Sequence, residues 1–330
     1  MKRVLTTIAV STAMMFAAGI GHAADIKERS AKFPIVNAID HPQGLGAQKF
    51  VEVVEKKSGG KIKVKVFPNG TLGGEQQVAA AMQGGTIEVS MMSPAQLVGT
   101  IKEFVVLDFP FSFANTAQAD AVLDGPFGKK LMDYMPAKGW VGLGFMEQGY
   151  RSISNSKRPI NKLEDIKGLK IRTILNPLYV DMFNTLGANA VPMPFPELYT
   201  AMEMKTVDGQ ENPLGQIYTS RFYEVQKYAT LSGHTYSPEV VVFSLATWKK
   251  IPAKYQEEIL KASAEAKKFN RDLSAKMDKE YVGKLKEKGM TVTALTAQQI
   301  VPFQEKMMPV WDLFADKIGK DLIQKIKDTK

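Results

Sequence analysis

Residues 61–92 read KIKVKVFPNGTLGGEQQVAAAMQGGTIEVSMM, and this stretch decides the fold class. Lys61, Lys63 and Lys65 alternate with Ile62, Val64 and Val66. A period of two puts one face of a strand in water and the other against a core. Residues 74–82 then suit a helix closed by Gly84-Gly85, and 86–92 suit a second strand. Upstream, 33–39 form a short apolar strand and 45–57 an amphipathic helix ended by Gly59-Gly60. Strand, helix, strand, helix, strand in that order predicts a parallel sheet flanked by helices, the α/β class.

The alternation continues downstream. Residues 140–146 and 150–154 read as strands separated by Gly149, and 170–173 as a short strand after a turn at Gly168. Helices are expected at 177–186 and 196–204, with the short segment 190–192 between them. Residues 240–245 are apolar except for Ser244, which suits a buried strand. From 255 to about 288 the helical pattern runs without proline. That is one helix along both domains, or two with a bend. The tail from 297 is helical again. The 330 residues suffice for two domains, each with its own core. With 45% hydrophobic and 23% charged residues the chain is globular rather than disordered.

Residues 1–23 read as a leader. Lys2 and Arg3 precede a mostly apolar run to Ile20, and Gly21-His22-Ala23 offers small residues for cleavage after Ala23. An uncleaved membrane anchor is the alternative, but the run falls short of the roughly 20 residues a span needs. Cleavage lowers the net charge from +9 to +7, since Lys2 and Arg3 leave and no acid does. The remaining lysines, such as Lys267, Lys276 and Lys284, are spread among acids, an ordinary solvated surface. Nucleic acid is therefore not an expected partner, and the charge suits steering of small anions.

Absent residues exclude much chemistry. There is no cysteine, hence no disulfide, thiol nucleophile, cysteine-ligated metal or lipoprotein anchor. His22, His41 and His234 are the only histidines, too few for a multi-histidine metal site. Gly44-Leu45-Gly46 begins like a dinucleotide-binding turn, but Lys49 stands where the third glycine belongs. No phosphate-binding loop and no G-x-S-x-G elbow is present. No cofactor and no metal is expected.

Two arginines and an asparagine stand out. Arg151 opens a strand and Arg172 ends one. Ligands of open α/β sheets collect outside the carboxyl ends of strands, where a guanidinium can hold a carboxylate through two parallel hydrogen bonds. Pairing with a surface acid is the other reading of each. Asn212, before Pro213, reads alone as a turn residue.

Longer segments carry a resemblance. GYRSISNSKRPI (149–160), IKGLKIR (166–172), NPLYVDMFNTLGANAVPMPFPELYTAM (176–202) and VDGQENPLGQ (207–216) resemble the solute-binding proteins of TRAP (tripartite ATP-independent periplasmic) transporters, dicarboxylate-type branch. FPNGTLGGEQQVAAAMQGGTIEVSMMSP (67–94), LDFPFSFAN (107–115) and FYEVQKYATLSGH (222–234) are similar to the same family. The likeness covers nearly the whole chain after the leader.

The resemblance implies a two-lobed periplasmic binding protein fold, each lobe a mixed, mainly parallel sheet flanked by helices, with a long helix spanning both. It implies one lobe from 24–148 plus about 238–278, and a second from 149–237 plus about 279–330. Matched by position, the carboxylate-clamping arginine falls on Arg172 and a second ligand-contacting arginine on Arg151. The asparagine falls on Asn212 and an aromatic wall on Phe195, which could equally be core. The other lobe's contacts fall near Asn37, His41, Glu75 and Ser93, and His234 is structural or hinge-associated. The implied role is a periplasmic binder, not an enzyme. It would capture a C4-dicarboxylate-like organic anion and deliver it to the small and large TRAP membrane subunits, and a monomer is expected. Thr173-Ile174-Leu175 departs from the more polar family pattern, and Ser93 stands where sialic-acid binders carry an acid nearby. Both favour a smaller or more apolar acid. An aromatic or 2-oxo monocarboxylate, and a periplasmic enzyme on the same scaffold, remain as alternatives.

Overall fold

The computed structural model describes residues 28–318 together with 323, 324 and 328; the expected leader, 1–23, lies outside the described residues. The first half begins with β1 (Arg29–Pro34), α1 (Pro42–Lys57) and β2 (Ile62–Phe67). α1 crosses over between β1 and β2, which pair in parallel. β1 lies earlier than the expected 33–39 because Arg29 to Pro34 is the run that meets β2 residue for residue. β2 keeps its alternation, burying Ile62 and Val64 and exposing Lys63. α2 (Glu75–Gln83) and β3 (Val89–Met92) follow, then α3 (Thr116–Asp124) and α4 (Pro126–Met132).

β4 (Trp140–Asn155) is one 16-residue strand where the sequence suggested two. The ladder shifts register between Gly142 and Gly144 and again between Glu147 and Gly149. Gly144 and Gly149 have φ of 135° and 107°. Bulges built on residues without a Cβ bend the strand without ending it. β4 thereby serves both halves of the molecule.

The second half holds β5 (Lys170–Thr173), α5 (Pro177–Thr185), β6 (Asn189–Pro192), α6 (Leu198–Glu203), β7 (Gly209–Pro213), α7 (Leu214–Thr219) and β8 (Tyr228–Leu231). β9 (Tyr236–Ser244) returns to the first half, antiparallel to β3 and to β4 as far as Tyr150. From Arg151 onward β4 pairs instead with β7, then β8. β5 lies parallel between β6 and β7. After α8 (Leu245–Trp248), α9 (Ala253–Glu287) is a single 35-residue helix, and β10 (Thr291–Ala294) adds parallel to β8. α9 packs on α1 and β4 at one end and on α7 and β10 at the other, tying the halves together. α10 (Ala297–Ile318) lies against α5. Its Trp311 stacks on Phe109 at 5.0 Å and donates to the Pro110 carbonyl at 3.0 Å.

β7 meets β4 closely at one point. A Cβ on Gly209 would lie 2.1 Å from the Ser154 carbonyl oxygen. Gly209→Ala is therefore expected to push the strands apart and cost about 1–3 kcal/mol. Urea denaturation checks this, and wild-type stability in the variant would show that β7 can shift without loss.

Candidate functional site

A pocket lies between the halves, where β5 and β7 end and β4 crosses. Its wall includes Arg172, Arg151, Asn212, Phe195, Ser93 and Glu75, six of the eight residues expected from the sequence. Gln96, Gln148, Gln216 and Glu239 complete its polar lining.

Arg172 is the penultimate residue of β5, between Val191 of β6 and Gln210 of β7. Its Nε and Nη2 donate to the Met193 carbonyl at 3.0 and 2.7 Å. That fork fixes the guanidinium plane and leaves Nη1 for a ligand. The Phe195 ring centroid lies 5.9 Å from the guanidinium carbon. Arg172 is buried, yet among the described residues no carboxylate forms an ion pair with it. Burial pushes its pKa down to about 10; Glu211 and Glu75 oppose that shift and Arg151 reinforces it.

Arg151 is built differently. Its Nε and Nη2 grip the Glu211 carboxylate, with Nη2 also reaching the Glu211 carbonyl at 2.7 Å and Asn212 Oδ1 at 3.1 Å. Nη1 donates to Ser237 Oγ at 3.1 Å. Arg151 thus borders the pocket with its hydrogen-bond capacity turned inward, although the sequence suggested a ligand contact. Burial would raise the Glu211 pKa, but Arg151 and His234 hold it below the usual carboxylate value. His234 shares this network, with Nε2 3.2 Å from Glu211 Oε2 and Nδ1 2.8 Å from Ser232 Oγ. The structural reading of His234 therefore fits its surroundings.

Asn212 lies in a strand, paired with Ser152, not in a turn. The Gly209–Pro213 segment is buried at every position although it holds Gln210, Glu211 and Asn212. Hydrophobic periodicity cannot reveal such a strand, because its side chains are satisfied by one another. Asn212 Nδ2 donates to Gln210 Oε1, and Gln210 Nε2 donates to Ser154 Oγ at 2.8 Å. Glu75, at the start of α2, accepts from the Ser93 N–H at 2.8 Å. Burial pushes its pKa up to about 7 against the pull of Ser93, Arg172 and Arg151. Asp108, deeper in the first half, is pushed by burial to about 8 and accepts from the Tyr179 hydroxyl at 3.3 Å.

Asn37 and His41, the latter with a cap-region role as its other reading, are not among the residues that line this pocket. Asn37 Nδ2 donates to Gln216 Oε1, so it sits behind Gln216 and joins the halves. His41 caps α1, its Nδ1 accepting from Gln43 N at 3.1 Å. The cap turns Nδ1 to its own helix, while Nε2 lies toward α7, where a Cβ on Gly215 would sit 3.3 Å from it. Burial lowers the His41 pKa from 6.5 to about 3. Between those values only the unfolded chain binds the proton, so this stability is present above pH 6.5 and is lost as pH falls. Relative to His41→Asn, which keeps a capping acceptor, wild type is expected to lose up to about 1.4 kcal/mol per pH unit below 6.5. Denaturation at pH 7.5 and 5.5 checks it; an unchanged gap would mean that the folded ring titrates normally.

Glu211 and Glu239 were missed by sequence reasoning. The available signal was an acid beside an apolar run, Glu239 preceding Val240-Val241-Val242-Phe243, and an acid inside the segment already singled out around Asn212.

The profile of the bacterial extracellular solute-binding protein family 7 matches residues 33–317. The sugar acid binding protein DctPAm from Advenella mimigardefordensis, solved in complex with galactonate, superposes with a TM-score of 0.90 at 42% identity, covering 93% of this chain and 100% of that one. The 2,3-diketo-L-gulonate-binding periplasmic protein YiaO from Escherichia coli is 32% identical over 97% of this chain and 98% of its own. The C4-dicarboxylate-binding periplasmic protein DctP from Rhodobacter capsulatus is 32% identical over 99% of this chain and 98% of its own. The chain belongs to the bacterial extracellular solute-binding protein family 7, the periplasmic solute-binding proteins of TRAP transporters.

Proposed function

We propose that this protein captures a small organic acid in the cleft by seating its carboxylate on Arg172, and that it hands the acid unchanged to the TRAP membrane subunits. One observation carries this reading: a buried guanidinium, aimed by the Met193 carbonyl, faces a pocket with no ion-pair partner among the described residues. A buried charge without a counterion is costly, and a ligand carboxylate removes that cost. Galactonate, 2,3-diketo-L-gulonate and the C4-dicarboxylates named for the relatives all carry such a group. Phe195 walls the carbon skeleton and Asn212 offers its amide edge. Arg151, locked on Glu211, adds positive potential and a rigid floor.

The lobes meet at residues 148/149 and 237/238, with a third crossing near 278/279 on α9. The exchange of β4's partners between Tyr150 and Arg151 supports this division. The ligand bridges the lobes and favours their closed arrangement through contacts made only there. The Asn37–Gln216 bond, and the Asn176 amide on the Ala95 carbonyl at 3.3 Å, help hold that arrangement. Residues 1–23 direct export and are removed after Ala23, placing the chain in the periplasm as a monomer.

A thermal-shift screen over organic acids, with each acid assayed afterwards, tests the role. One acid should raise the melting temperature and be recovered intact. No stabilising acid, or an acid consumed, would overturn it.

A further inference from the structure

Two short segments from opposite halves meet beside Arg172. In the first half, PNGTLGG (68–74) links β2 to α2. Asn69 and Gly70 take φ of 59° and 63°, and their N–H groups donate to the Asn37 and Ile35 carbonyls, both at 3.0 Å. The Gly73 N–H donates to the Gly70 carbonyl at 2.9 Å, and the Gly74 N–H to Gln77 Oε1 at 3.1 Å. The turn is thus fixed to the first half from both of its ends. Opposite it, in the second half, runs Met193-Pro194-Phe195-Pro196. A Cβ on Gly70 would lie 2.9 Å from Pro196 Cγ, and one on Gly74 would lie 3.6 Å from Pro194 Cβ. The bare backbone of the turn therefore packs directly on the two proline rings.

We infer that Gly70 is a positioning residue for the carboxylate seat: as the halves close, its turn bears on Pro194 and Pro196 and sets the Met193 carbonyl that aims Arg172. The inference rests on Arg172 seating the ligand carboxylate, as proposed above. The Met193 carbonyl accepts from both Nε and Nη2 of Arg172, and the Met193 N–H donates to the Thr173 carbonyl at 3.3 Å, one residue past that arginine. A proline ring locks its own φ and restricts the residue before it, so Pro194 restrains Met193 and Pro196 restrains Phe195. A segment this stiff moves as one piece. Contact at Pro196 therefore reaches the carbonyl that fixes the guanidinium plane and the Phe195 ring 5.9 Å from the guanidinium carbon. Opening the cleft separates Gly70 from Pro196 and leaves the segment held by the second half alone. A donor aimed in advance loses less freedom when its acceptor arrives, so closure sharpens the seat as well as covering it. Asn37 extends the same coupling, since its carbonyl holds the turn while its Nδ2 donates to Gln216 Oε1 of the second half.

Gly70→Ala sets a methyl against Pro196, and Pro196→Ala removes the Cγ it would strike. Calorimetry and stopped-flow binding on residues 24–330 use D-galactonate and succinate as probes. For the tighter-binding probe, Gly70→Ala should raise Kd about tenfold, mostly through faster dissociation. The double variant Gly70→Ala/Pro196→Ala should return to within about threefold of wild type. The left-handed φ at residue 70 penalises a side chain equally in both variants, so a loss due to turn strain alone would not be recovered. On Arg172→Lys, whose ammonium has no plane to aim, Gly70→Ala should cost less than about threefold. Wild-type affinity in Gly70→Ala, a loss that persists in the double variant, or the same tenfold loss on Arg172→Lys overturns the positioning role. Arg172→Ala separates this role from the reading beneath it. If Arg172→Ala abolishes binding while Gly70→Ala binds as wild type does, only the positioning role falls. If Arg172→Ala leaves affinity intact, or if neither probe binds wild type, the carboxylate seat falls and the positioning role with it.

Discussion

Arg172→Ala is expected to weaken binding of the cognate acid by about 2–5 kcal/mol, roughly 30- to 4000-fold in Kd. The ligand carboxylate would still enter a dry cleft, but with no forked donor to replace its water. Arg172→Lys should also lose most of the affinity. An ammonium cannot hold the Met193 carbonyl as the guanidinium does and also offer a planar fork to a carboxylate. The ligand-free protein should respond in the opposite sense. Removing a buried cation without a counterion relieves a cost of folding, so Arg172→Ala should be at least as stable as wild type. Calorimetry and urea denaturation on one sample read both effects. Wild-type affinity in a folded variant would remove Arg172 from the site.

Glu211→Gln is expected to destabilise the fold by about 3–5 kcal/mol at neutral pH. Arg151 would then be a buried cation facing an amide, and His234 would lose its charged acceptor. The pair sits beside the exchange of strand partners in β4, so this loss is structural before it is functional. The pH dependence identifies the cause. Glu211 is held below the ordinary 4.5 in the folded chain, so its contribution is fully present above that value and is lost as pH falls through the folded pKa. The gap between wild type and Glu211→Gln should therefore close in acid. A gap that stays constant to low pH would mean that the variant suffers from packing and not from lost charge.

Particular elements explain how far sequence reasoning reaches. The Lys/Ile/Val alternation of β2 and the proline-free pattern of α9 were legible because each depends on one periodicity read against one face. Gly149 suggested a break between two strands, yet it forms a bulge in one. A glycine permits either outcome, and only the partner strand selects between them. Arg172, Arg151, Asn212, Phe195, Glu75 and Ser93 were named from matching segments, and the fold brings all six to one pocket. His41 and Asn37 were named on the same grounds but sit behind the wall. Proximity along the chain says nothing about which way a ring or an amide turns.

Local sequence alone settled the α/β alternation, the absence of thiol and multi-histidine chemistry, and a basic balance suited to anions. Each depends on composition or on neighbours a few residues apart. Tertiary structure decided which arginine is free. Arg151 and Glu211 lie 60 positions apart, and their pairing across β4 and β7 leaves Arg172 unmatched. Charge neutralisation in a dry interior depends on distances between distant segments, and those distances exist only once the sheet has formed.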